Sequence, residues 1–116
     1  MQEDAQAKQE TILVVDADAR VVELLQITLA GRGYQVVGAH DGATALGLVH
    51  ERRPDLVVLD TRLPVKSGYA ILDTVRRDES LSHTPIILIS TDAATESRLQ
   101  GLRLGADDYM VKPFSP

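Results

Sequence analysis

The 116 residues make 12.6 kDa, the usual size of one domain, and 44% are hydrophobic and 25% charged, which excludes disorder, collagen-like repeats and a polar linker as the main content. The absence of cysteine removes disulfide frameworks, thiolate zinc sites and cysteine nucleophiles together, and fits a reducing compartment. A net charge of -5, with Tyr34, Tyr69, Tyr109 and Phe114 as the whole aromatic content, argues against direct nucleic-acid binding, which needs a basic patch and stacking surfaces.

Residues 1–10 (MQEDAQAKQE) offer nothing to anchor a core and read as a solvated tail. They lack the basic-then-apolar pattern of a secretory signal, and no run approaches the ~18–20 apolar residues of a membrane span, so a cytoplasmic protein without a membrane partner is expected. From Thr11 the chain alternates. TILVVD reads as a buried strand, followed by a helix in which Val22, Leu25 and Leu29 recur on one face, with Asp18 as N-cap and Gly33 as C-terminal stop. QVVGA, DLVVLD, PIILIS and DYMVK read as strands two to five. GATALGLVHERR, GYAILDTVRRD and ATESRLQGLRLG read as the helices between them, the last being weakest because Gly101 costs about 1 kcal/mol relative to alanine.

Runs such as LVVLD and IILIS do not alternate with polar residues, so both faces of each strand must be covered. This predicts an α/β fold with a doubly wound, five-stranded parallel sheet, flavodoxin-like in its strand order 2-1-3-4-5. Ligands of such folds bind outside the carboxyl ends of the strands. At those ends stand Asp16, Asp60, Ser90 with Thr91, and Lys112. Two carboxylates, a hydroxyl and an ammonium on one rim suit a hard cation and a phosphoryl group.

The stretches ILVVD, PDLVVLDTRLPVKSG, PIILIS and GADDYMVKPF resemble, in order and spacing, the four signature stretches of the response-regulator receiver domains of two-component signalling, and the resemblance covers residues 11–116. It implies that Asp60 is the phosphoacceptor, Ser90 the switch hydroxyl that turns toward the phosphoryl group, Lys112 the lysine that contacts it and Tyr109 the switch aromatic. It also implies a cis bond at Pro113. Mg²⁺ would be held by Asp16, Asp60 and the main-chain carbonyl of Arg62, and the donor would be a phosphohistidine on a histidine kinase or phosphotransfer protein. Such a domain signals and is not itself an enzyme. His40, His50 and His83 are scattered, read as surface residues, and none fits the donor role.

Three departures from the family stand out. The family has a second acid after the first strand, where Ala17 stands here, which implies weakened Mg²⁺ binding; Asp18 either substitutes or, as preferred, caps the helix. Arg62 and Asp92 border the site at variable positions, where the guanidinium either pairs with Asp92, bends onto Asp60 and Asp16, or extends into solvent. The sequence stops at Ser115-Pro116, an N-cap and N1 pair, so the fifth helix is expected to be missing. The bare face would include apolar residues of strands one and five with Val22, Leu25 and Leu29, covered in a longer protein that adds an output domain, or by a second copy in a homodimer.

Two other readings compete. A pseudo-receiver would keep the fold and act by docking or dimerising without phosphorylation, as the Ala17 substitution favours. LVVDADAR also resembles the DxD motif of haloacid-dehalogenase-type phosphotransferases, with Asp16 as nucleophile, Asp18 as acid/base, and Ser90, Lys112 and Asp107-Asp108 in later motifs. That reading leaves Asp60 and its Leu63-Pro64 and Gly68 context unexplained.

Overall fold

A computed structural model describes residues 9–112. The expected N-terminal tail falls almost wholly outside those residues, as do Pro113 with its expected cis bond and the Ser115-Pro116 pair.

The apolar runs form the strands β1 (Thr11–Val15), β2 (Gln35–Ala39), β3 (Leu56–Asp60), β4 (Ile86–Ser90) and β5 (Asp108–Val111). Between them lie α1 (Ala19–Ala30), α2 (Gly42–Arg52), α3 (Gly68–Arg77) and α4 (Thr95–Arg103), the four helices of the described residues. All strands are parallel, as the uninterrupted apolar runs lead one to expect, and they lie in the expected order β2-β1-β3-β4-β5.

Alternation along each strand divides the core between the two sheet faces. Leu13, Val15, Val57, Leu59, Ile86, Leu88 and Tyr109 belong to the larger cluster, with Ala45 and Val49 of α2 and Ile71, Leu72 and Val75 of α3. Ile12 and Val14 face the other way, toward Val22 and Leu25 of α1, with Leu56 and Val58 half-buried beside them. Each fully buried aliphatic side chain stabilises the fold by roughly 1.5–3 kcal/mol. Val22 and Leu25 are 3% and 6% exposed, so the expectation that they lie bare is corrected: they pack on Ile12 and Val14 of β1, with Val36 of β2 and Leu56 and Val58 of β3 against the same cluster. The apolar side chains left in solvent on this side are instead Leu24 and Ile27 of α1 and Met110 of β5.

Helix starts follow the sequence closely. Asp18, Asp41 and Ser67 each accept a backbone N–H of the first turn of α1, α2 and α3. The stop of α1 is corrected by two residues: Gly31 is its C-cap, and Gly33 lies in the following turn with φ 97°. Gly101 is no weak point in α4. A Cβ there would meet Leu88 Cδ1 at 2.6 Å, so the glycine lets the helix lie close on the sheet.

Candidate functional site

Register brings the carboxyl ends of four strands level. Val15 pairs with Leu59, Asp60 with Ile89, and Ser90 with Val111, so Asp16 and Lys112, each one residue beyond its strand, stand beside Asp60 and Ser90. Sequence separations of 96 and 52 residues collapse to contact: Lys112 Nζ lies 2.6 Å from Asp16 Oδ2 and 3.2 Å from Asp60 Oδ2. The side chains of Asp16 and Asp60 are 2% and 9% exposed, and one ammonium spans both.

The remaining carboxylate oxygens are held by backbone. Asp16 Oδ1 accepts the Asp18 N–H at 2.9 Å, and Asp60 Oδ1 accepts the Arg62 N–H at 3.1 Å. Burial pushes the Asp60 carboxyl above the usual carboxylate range and the Asp16 charge adds to this, against the Arg62 amide and Lys112, which favour the anion. Burial also works against charge on Lys112, but its hydrogen bond to Asp16 and the charges of Asp60 and Asp16 outweigh it and lift its pKa above the ordinary lysine value.

The loop after Asp60 is built around Gly68. Its N–H donates to Thr61 O at 3.0 Å, and a Cβ at this position would lie 2.1 Å from Asp60 O, so only glycine lets α3 begin against the strand end. Val65, at the exposed tip, takes φ 71°, a left-handed conformation that a β-branched residue rarely adopts.

Ser90 is fully buried, and its Oγ accepts the Asp92 N–H at 3.0 Å and pairs with Thr61 Oγ1 at 2.9 Å. Asp92 continues the chain of contacts: its oxygens accept from Ala94 N–H and from Ser97 Oγ at 2.5 Å, and its carbonyl accepts the Tyr109 hydroxyl at 2.6 Å. The Tyr109 ring is buried, with the Arg98 guanidinium 5.5 Å from its centroid. Thr91 is exposed at the rim.

Asp18 does not reach inward. Its Oδ1 accepts the Arg20 N–H at 2.9 Å and both oxygens meet the Arg20 guanidinium at 3.3 Å, hydrogen bonds that hold its pKa below the usual range. Arg62 makes neither of the expected pairings. Among the described residues it forms no ion pair and extends into solvent, because Asp92 is taken up by the start of α4 and Lys112 already spans the carboxylates. Its charge still helps lower the Asp92 pKa, after the Ser97 and Ala94 hydrogen bonds.

Two neighbours escaped the sequence reading. His40, just beyond β2, places Nδ1 3.2 Å from Asp16 O. Thr61, directly after Asp60, contacts Ser90. Position next to a strand-end carboxylate was the only signal available for Thr61, and none existed for His40.

The donor set suits Mg²⁺. Two buried carboxylates share one ammonium, leaving one negative charge unmatched, and among the described residues no hydrogen bond reaches the Arg62 carbonyl. Mg²⁺ commonly uses one or two carboxylates with waters. No cluster of three or more acidic, histidine or cysteine side chains able to hold a metal occurs among the described residues.

Comparison with known proteins points one way. The family model for the response regulator receiver domain matches residues 12–116. The probable transcriptional regulator ycf27 of Guillardia theta is 44% identical over 107 residues, covering 92% of this chain and 41% of that protein. The DNA-binding response regulator MtrA of Mycobacterium leprae is 44% identical over 105 residues, covering 90% and 45%. This chain therefore spans less than half the length of these curated relatives. The chemotaxis protein CheY4 of Vibrio cholerae superposes with a TM-score of 0.88 at 31% identity, over 94% of this chain and 91% of that one. With the strand order and the family match in agreement over nearly the whole sequence, the chain belongs to the response regulator receiver domains of two-component systems.

Proposed function

We propose that Asp60 is the phosphoacceptor, taking a phosphoryl group from a phosphohistidine on a histidine kinase or phosphotransfer protein. The observation that carries this reading is the single ammonium of Lys112 on both Asp16 and Asp60. It joins the one strand-end carboxylate followed by a glycine-dependent loop to a cation able to hold phosphoryl oxygens.

A carboxylate oxygen of Asp60 attacks phosphorus; the P–O bond forms as the P–N bond breaks, and the electron pair leaves with the imidazole of the donor. The Arg62 N–H and Lys112 favour the Asp60 anion that makes this attack, against the burial that raises its pKa. Lys112 holds transferring oxygens and Asp16 keeps Lys112 in place. The Ser90 hydroxyl then turns toward the new phosphoryl group, and its ties through Asp92 to the Tyr109 hydroxyl carry the change to the surface of α4 and β5. Asp16, Asp60 and the Arg62 carbonyl are the groups that would hold Mg²⁺, which when bound neutralises charge on the phosphoryl oxygens. With Ala17 in place of a second acid, weak affinity is expected.

Relatives such as the DNA-binding regulator MtrA are about twice as long as this chain, so an output domain outside it is part of the proposal, with a receiver that signals rather than turns over substrate. The haloacid-dehalogenase alternative has little support, since Asp18 is a helix cap and Asp16 is tied to Lys112. The pseudo-receiver reading rests on Ala17 alone.

Incubation with acetyl phosphate and Mg²⁺, followed by mass spectrometry and mapping of the acyl phosphate, tests the assignment. One phosphoryl group on the wild type and none on Asp60→Asn is expected. Label persisting in Asp60→Asn, or none on the wild type at saturating Mg²⁺, overturns it, the second outcome in favour of a phosphorylation-independent docking module.

A further inference from the structure

The Ser90 side chain has a partner that the phosphoryl chemistry does not call for. Thr61 Oγ1 lies 2.9 Å from Ser90 Oγ, with Thr61 4% exposed and Ser90 fully buried. Thr61 has little freedom to be elsewhere. Its N–H donates to Ile89 O at 3.0 Å and its carbonyl accepts from Gly68 N–H at 3.0 Å, so the backbone carrying the hydroxyl is fixed to the next strand on one side and to the start of α3 on the other.

We propose that Thr61 is a positioning residue: its hydroxyl latches the Ser90 hydroxyl in the resting orientation and so sets how readily Ser90 turns to a phosphoryl group on Asp60. The proposal rests on the phosphoacceptor reading of Asp60. A serine hydroxyl offers one donor and two acceptor positions. At rest Ser90 uses one acceptor position for the Asp92 N–H and shares a hydrogen bond with Thr61. Turning forfeits the shared bond, and it leaves the Thr61 hydroxyl buried with no other partner among the described residues. Both effects oppose the turn, because a buried hydroxyl without a partner is costly. Removing the Thr61 hydroxyl abolishes both. It also takes the resting partner from Ser90, so the turned state gains relative to the resting one.

The test uses beryllofluoride, a phosphoryl analogue, titrated calorimetrically into the 116-residue protein in saturating Mg²⁺. Thr61→Val keeps the branched shape and removes the hydroxyl, and it should bind roughly 3- to 10-fold more tightly than wild type, the scale of one buried hydrogen bond. Thr61→Ser keeps the hydroxyl and should return to within about twofold of wild type, a rescue that a purely packing role for the threonine methyl would not give. Equal or weaker binding by Thr61→Val overturns the latch, as does Thr61→Ser behaving like Thr61→Val. Wild type that binds no more tightly than Asp60→Asn overturns the phosphoacceptor reading, and the latch with it.

Discussion

Replacing Lys112 by methionine would leave two carboxylates facing one another with no cation. At an effective dielectric constant of ~20, the ammonium attracts Asp16 across 2.6 Å by ~6 kcal/mol and Asp60 across 3.2 Å by ~5 kcal/mol. Desolvation of the three charges offsets much of that gain, and breaking a buried ion pair from one side has a net cost of about 3–5 kcal/mol. For a chain of this size that corresponds to a midpoint lower by roughly 12–20 °C. The loss should depend on pH. Burial and the Asp16 charge already raise the Asp60 pKa, and loss of Lys112 removes a group that opposes them, so the stability this carboxyl contributes is fullest at low pH and is lost as pH rises through its folded-state value. Melting curves and urea titrations of Lys112→Met and wild type from pH 5 to pH 8 should therefore diverge steadily, the largest gap being at pH 8. Mg²⁺ should narrow that gap by supplying the absent charge. A loss below ~1 kcal/mol, or one of equal size at both ends of the range, would refute the argument that this ammonium balances both buried carboxylates.

Ala17→Asp adds an oxygen ligand to an incomplete shell, so Mg²⁺ affinity should rise by ~10-fold, about 1.4 kcal/mol, and phosphorylation by acetyl phosphate should quicken; equal affinities in a calorimetric titration would show that the shell is already complete. Gly68→Ala puts a methyl group 2.1 Å from Asp60 O, and the forced shift should cost about 1–3 kcal/mol in urea denaturation and slow phosphorylation, whereas wild-type behaviour would mean that α3 can simply move.

The sheet was legible because strands covered on both faces are apolar at consecutive positions, as TILVV, LVVLD and IILIS are, and the order 2-1-3-4-5 is the common doubly wound topology for five strands alternating with helices. Asp16, Asp60, Ser90 and Lys112 could be brought together from sequence because parallel strands of similar length align their ends. Side-chain choices at the rim were not legible. Arg62 and Asp92 looked complementary, yet Asp92 has backbone and serine donors within five residues that need no long side chain to be immobilised, and Arg62 keeps its rotamer freedom in water. Gly101 was misjudged for a related reason: helix propensity counts its cost in isolation, while its value lies in the room it leaves for Leu88 and Tyr109. Hydroxyl pairs such as Thr61 and Ser90 leave no periodic trace at all.

β5 is an edge strand of the sheet, four residues long and, among the described residues, bonded only to β4. Short edge strands open locally at modest free energy. Here opening carries an electrostatic penalty, since Lys112 would leave with the strand and abandon two buried anions. The charge arrangement that readies Asp60 thus also clamps the margin of the sheet. Anything that takes over the task of Lys112 at the carboxylates, a divalent ion foremost, weakens that clamp, so amide exchange along β5 becomes a gauge of what occupies the far end of β1 and β3.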